Sequence, residues 1–160
     1  MEIVDLCQYP EVELCVDGAD QVDLKLNCIK GKGGALLREK VVASASKKVI
    51  IIVDSTKCSE FLNVDVPVEI LPFSWGFVRK KIEKMGGTVR LRYGSGKIGP
   101  IITDNCNFVA DCYFGKIDNA EKMELDLNSI PGVIENGIFP SRIIDLVVVG
   151  KNKKAEEVTK

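Results

Sequence analysis

The sequence predicts an α/β protein: a mostly parallel sheet with a smaller inserted α+β unit. Three observations carry that expectation. Val49 to Val53 is an unbroken β-branched run, the pattern of a strand buried on both faces of a parallel sheet. A glycine-rich stretch and a helix-forming segment lie between an earlier short strand and this run. That is the order of a βαβ unit, whose crossover is right-handed. From about residue 64 the pattern changes to short strands, tight turns and two helices, before Ile143 to Val149 returns to a fully apolar run.

Size and composition bound the function. The chain has 160 residues, 46% hydrophobic and 28% charged, which suits a buried core and excludes general disorder. A net charge of -1 gives no general attraction to nucleic acid or anionic membranes, and neither is expected as a partner. The apolar runs are too short to cross a bilayer. The six cysteines (Cys7, Cys15, Cys28, Cys58, Cys106 and Cys112) form no CxxC pair, and there is no histidine, so a zinc site of ordinary spacing is not expected. Cys15 and Cys28 sit in apolar runs and read as buried thiols. With no signal-peptide pattern, the expected location is a reducing cytoplasm. Acid–base chemistry, if any, falls to carboxylates, lysines or tyrosines.

Along the chain, Met1 to Pro10 is a polar lead-in and Val12 to Val16 a short buried strand. Asp17-Gly18-Ala19-Asp20 follows. Taken alone, it reads most simply as a turn that opens a helix with an aspartate N-cap. Leu24 to Ile29 is a second extended segment. Lys30-Gly31-Lys32-Gly33-Gly34 then leads into ALLREKVVASASKK, a helix with Leu37, Val41 and Ala45 as its repeating apolar positions. A glycine-rich loop entering a helix presents backbone N–H groups to anions, although the pattern is neither a Walker loop nor GxGxxG. Asp54-Ser55-Thr56-Lys57 leaves the end of the β-branched run. Ligands of open α/β sheets bind outside the carboxyl ends of strands, so the DGAD, KGKGG and DSTK loops should converge.

The middle of the chain reads as a strand (Pro67 to Leu71), an amphipathic helix (Trp75 to Met85, with Phe77, Val78, Ile82 and Met85 apolar) and an alternating strand (Val89 to Tyr93). A hairpin through TDNCN follows, then a helix from Ala120 to Ile130, and short strands on either side of an Asn136-Gly137 turn. Arg79, Arg90 and Arg92 read as a solvated face. Lys151 to Lys160 reads as a frayed helix or tail.

In order and spacing, DGAD (17–20), IKGKGGALLREK (29–40) and IVDSTK (52–57) resemble ribose-5-phosphate isomerase of type A. PVEILP, KMGG, TDNCNFVAD, IPGVIENGIF and DLVVVG extend the likeness from about Val12 to Gly150. The resemblance implies interconversion of ribose 5-phosphate and ribulose 5-phosphate in the pentose phosphate pathway, without metal or cofactor. Residue by residue, it implies Glu39 as general base. It implies Asp17 and Asp20 as carboxylates that hold sugar hydroxyls and assist ring opening, and Lys30 as the lysine beside the reacting oxygens. Gly18 and Ala19 complete the DGAD loop; Gly31, Lys32 and Gly33 form the substrate loop; Lys57 contacts the substrate. Taken alone, Glu39 is an ordinary helix-surface glutamate between Arg38 and Lys40; the constellation favours the catalytic reading.

Two departures qualify the likeness. Family members carry an upstream segment with a phosphate-cradling loop, and this chain is expected to lack it. Lys32 stands where the family usually has glycine, either adding charge for a phosphate or obstructing the loop. The expected architecture is a Rossmann-like catalytic domain (1–63 and 140–160) with a ferredoxin-like α+β domain (64–139), associating as a homodimer or homotetramer. The alternative is a sugar-phosphate-binding protein without catalysis, or an inactive truncated remnant.

Overall fold

The computed structural model describes residues 3–94, 96, 98–152 and 154–159. Residues 1 and 2 of the expected lead-in, and 153 and 160 of the expected tail, lie outside the described residues. Strand β1 (Cys15–Asp17) pairs in parallel with β4 (Val49–Asp54), and β4 pairs in parallel with β10 (Leu146–Lys151). Between β1 and β4 lie β2 (Gln21–Val22), β3 (Cys28–Ile29) and helix α1 (Leu36–Ser44), so the expected βαβ order is present. The residues after Asp20 form β2 instead of a helix; β2 pairs antiparallel with β3, and β3 with β9 (Ile138–Phe139).

The middle of the chain builds a second sheet from β5 (Val66–Ile70), β6 (Thr88–Leu91), β7 (Phe108–Tyr113) and β8 (Val133–Asn136), with helices α2 (Trp75–Lys84) and α3 (Ala120–Asn128). Its spatial order is β6-β7-β5-β8, antiparallel throughout. Strand–helix–strand–strand–helix–strand in that order is the split βαβ, or ferredoxin-like, arrangement. One apolar cluster, including Val68, Ile70, Val78, Ile82 and Leu127, fills it; a second, including Ile51, Phe139, Ile144 and Val147, lies under the parallel sheet.

Five local expectations change. Lys154–Val158 forms β11, antiparallel to β10, in place of a frayed helix, because alternating extended pairing satisfies the backbone along an otherwise open strand edge. Ile50 and Ile52 on β4 remain partly open, so only one face of that strand is fully buried. Helix α1 buries Leu36, Lys40 and Ala43 rather than Leu37, Val41 and Ala45. The reason is that Lys40 reaches Glu135 at 2.8 Å and Glu124 at 3.5 Å, and paired charge can be buried. On α2, Phe77 is half exposed, with the Lys81 ammonium over its ring. Finally, Asn136-Gly137 does not close a hairpin: β8 pairs with β5 whereas β9 pairs with β3, so the chain passes from one sheet to another there. No helix among the described residues is long and apolar enough to cross a membrane.

Candidate active site

The site begins where β1 ends. Asp17 turns its carboxylate back to accept the Gly18 N–H at 2.7 Å. Lys30 follows β3 and is anchored by its backbone N–H to the Gly137 carbonyl at 2.8 Å. Its side chain, 5% exposed, crosses to Asp17 Oδ2 at 2.9 Å and Glu39 Oε2 at 3.1 Å, and donates to the Gly18 carbonyl. Burial, the largest single influence, pulls the Lys30 ammonium down, but the Asp17 hydrogen bond and the Glu39 and Asp17 charges together outweigh it and leave its pKa raised.

Glu39 lies in the first turn of α1. Its Oε2 is buried, and the Lys30 ammonium faces it at 3.1 Å. A carboxylate beside a fixed cation pairs a base with a positive group for a developing oxyanion. Helix α1 opens at Ala35 without a capping side chain, and the loop before it is tightly specified. Gly31 has φ +103, and a β-carbon there would stand 2.8 Å from Leu36 Cβ, so glycine is required. Lys32 fits without positive φ; its N–H donates to Asp20 Oδ2 at 2.9 Å.

These groups line two adjoining hollows. The inner one, about 250 Å³, is walled by the DGAD loop, Lys30, the loop 31–33 and Glu39. The outer one, about 400 Å³, shares Asp20 and Lys32 with it and adds Lys57, Asp65, Arg92 and Asp111. All the expected site residues therefore meet, with Lys57 in the outer hollow. Asp54 of DSTK is spent locally: its carboxylate accepts both the N–H and the hydroxyl of Thr56, which holds it below the usual carboxylate range.

Behind the site runs a buried polar layer that sequence reasoning missed. The Lys30 and Lys40 ammonium groups both lie over the Phe139 ring, 5.3 and 5.1 Å from its centroid. Burial pulls the Lys40 ammonium down despite its two glutamates. Glu69 Oε1 accepts from Thr103, Asn105 and Asn107, so it anchors the TDNCN turn; Asn105 in turn accepts from Arg38 at 3.0 Å. Arg92 is also no solvated side chain. It binds Asp111 and the loop carbonyls of Gly31 and Lys32. Its partners lie 19 and about 60 residues away in sequence, beyond the reach of any local pattern.

Comparison with known proteins gives the family and the fold. The family model for ribose 5-phosphate isomerase A (phosphoriboisomerase A) matches residues 1–154. The ribose-5-phosphate isomerase A of Archaeoglobus fulgidus is 59% identical over 157 residues, covering 97% of this chain and 69% of that protein. That of Methanosarcina acetivorans is 43% identical, covering 100% and 68%. Among solved structures, ribose 5-phosphate isomerase A from Methanocaldococcus jannaschii superposes with a TM-score of 0.93 at 38% identity, covering 98% of this chain and 69% of that one. A D-ribose-5-phosphate isomerase in complex with phospho-erythronic acid superposes with 0.94 at 40% identity and the same coverage. The chain thus spans about two thirds of the length of these relatives, and it belongs to the ribose 5-phosphate isomerase A family.

Proposed function

We propose that the chain is an aldose–ketose isomerase that interconverts D-ribose 5-phosphate and D-ribulose 5-phosphate through an enediolate, in the non-oxidative pentose phosphate pathway. The observation that carries this reading is the Glu39–Lys30 pair: a buried carboxylate oxygen 3.1 Å from a buried ammonium.

Isomerisation needs one base to remove the proton from C2 and return it to C1, with a positive group at the oxygens that turn negative in between. Glu39 is the base and Lys30 the cation; its raised pKa keeps it charged at neutral pH. Asp17 and Asp20 hold the sugar hydroxyls and move the proton of the anomeric hydroxyl when the ring opens. Gly18, Ala19, Gly31 and Gly33 bring backbone close to the substrate, and Lys32 and Lys57 offer charge to the phosphate in the outer hollow. A phosphate held away from the reacting carbons supplies orientation as well as affinity. The ligand of the solved relative, phospho-erythronic acid, suits such a site: it joins a phosphate to a planar, negatively charged carboxylate, which resembles the enediolate.

We further divide the chain into a Rossmann-like catalytic domain, 1–63 and 140–160, and a ferredoxin-like domain, 64–139; one apolar cluster comes mostly from each, with Ile29, Leu62 and Phe139 crossing the division. A second copy in a homodimer or homotetramer would suit the half-exposed Val16 and Ile52, and the cytoplasm would keep the six thiols reduced. Ribulose 5-phosphate formation from ribose 5-phosphate, measured beside Glu39→Gln, tests the assignment. The wild-type chain is expected to turn over and the variant to fall about a thousandfold. A folded wild-type chain that binds ribose 5-phosphate without isomerising it would transfer the assignment to the non-catalytic alternative.

A further inference from the structure

Arg92 follows β6 and is 14% exposed. Its Nε donates to Asp111 Oδ2 at 2.9 Å and one terminal nitrogen donates to Asp111 Oδ1, a two-point fork. The other terminal nitrogen donates to the carbonyls of Gly31 and Lys32, both at 3.0 Å. On the far side of the loop, Asp20 Oδ2 accepts the Lys32 N–H at 2.9 Å. The Gly31 carbonyl and the Lys32 N–H belong to one planar peptide unit and point in opposite directions. Arg92 therefore holds one end of that unit and Asp20 the other, and a flip of the peptide would break both attachments.

We propose that Arg92, locked by Asp111, is a positioning residue that fixes the Gly31–Lys32 peptide and thereby shapes the loop that receives the substrate. The inference rests on the functional reading above. Neither side chain supplies the chemistry. The pair carries the loop from the split βαβ sheet, which is why the site draws on both sheets. The role demands a planar fork that can serve a carboxylate and two carbonyls at once; an ammonium has the charge but not the geometry. Lys30 has its own anchors at Gly137, Gly18, Asp17 and Glu39, so release of the loop should weaken substrate binding far more than it slows chemistry.

The test uses the full chain with Arg92→Gln, Arg92→Lys and Asp111→Asn, and with Arg79→Gln on the exposed face of α2 as control. Two readouts are taken: KM and kcat with ribose 5-phosphate, and residue-resolved amide exchange without ligand. Arg92→Gln and Arg92→Lys are expected to raise KM about tenfold with kcat within about threefold of wild type. They should also speed exchange at residues 31–34 about tenfold while leaving β5 and α3 unchanged. Asp111→Asn should show the same pattern, weaker, and Arg79→Gln neither effect. An Arg92→Lys variant that matches wild type would overturn the proposal, because charge alone would then suffice. Unchanged exchange at 31–34, or exchange raised across the whole chain, would overturn it equally. If the wild-type chain does not isomerise ribose 5-phosphate, the functional reading fails and the exchange data alone decide the clamp.

Discussion

Replacing Gly137 with alanine tests how the backbone holds Lys30. Gly137 lies where the chain passes from β8 to β9, between two other segments. Its N–H donates to the Pro67 carbonyl at 2.7 Å, and its carbonyl accepts the Lys30 N–H at 2.8 Å. A β-carbon there would stand 2.1 Å from the Lys30 carbonyl oxygen and 2.9 Å from Pro67 Cδ. Both neighbours are held by backbone or ring, so neither can rotate away. Relief requires about 1 Å of separation, enough to lose at least one of the two hydrogen bonds. A buried donor or acceptor left unpaired costs about 1–3 kcal/mol, and overpacking adds about 1–3 kcal/mol. A loss of about 4 kcal/mol lowers Tm by roughly 10 °C in a chain of this size. Displacement of Lys30 by about 1 Å should also cut kcat by about a hundredfold. Thermal and urea melts, with Gly33→Ala as comparison, provide the assay; a β-carbon at Gly33 meets nothing within 4 Å. A Gly137→Ala protein that melts within about 3 °C of wild type would refute the claim that this contact fixes the site.

Three further outcomes follow from the same geometry. The raised pKa of Lys30 means that the folded state holds its proton more tightly than the unfolded chain, whose ordinary value is 10.5. Its stabilisation is therefore complete below pH 10.5 and lost as pH climbs through the higher folded value; the urea-melt difference between wild type and Lys30→Met should be level up to that pH and shrink above it, and a difference that grows would contradict the pairing. Thiol titration of the native protein at pH 8 should find Cys7, Cys58 and Cys106 reactive, with Cys15, Cys28 and Cys112 protected until unfolding. Burial pushes Cys28 up to about 12 and Cys112 higher still, so fast modification of either would be inconsistent with their packing. Asn119→Ala removes the side chain that accepts the Lys122 N–H at the start of α3, and should lower stability by about 1 kcal/mol in a urea melt; an unchanged midpoint would show the cap to be idle.

The loops of the candidate site were legible in the sequence because each carries its polar residues locally. DGAD and DSTK leave the ends of apolar strands, and KGKGG opens a helix, so strand-end convergence could be argued without coordinates. The split βαβ unit was legible for a similar reason: its strands and helices have clear periods and clear breaks at Gly86-Gly87 and Pro131-Gly132. What remained hidden depends on contacts distant in sequence. Lys40 is buried through Glu124 and Glu135, which come from another sheet and helix. Arg90 and Arg92 alternate identically in the sequence, yet Arg90 on β6 pairs with Asp65 in the open whereas Arg92, just past β6, turns inward to the glycine loop. Gly137 looks like half of a turn and serves instead as a point of close approach. The charged C-terminal run concealed β11, because pairing along a strand edge makes few demands on side chains.

The most direct test of the account is isomerisation of ribose 5-phosphate in D₂O by wild type and Glu39→Gln, with the product read by NMR. If Glu39 carries the proton between C2 and C1, the wild-type product acquires up to one deuterium on a single face of C1. Glu39→Gln should lose both isomerisation and labelling, by about a thousandfold. A folded Glu39→Gln protein that still isomerises and labels at the wild-type rate would contradict the assignment of Glu39 and the mechanism built on it.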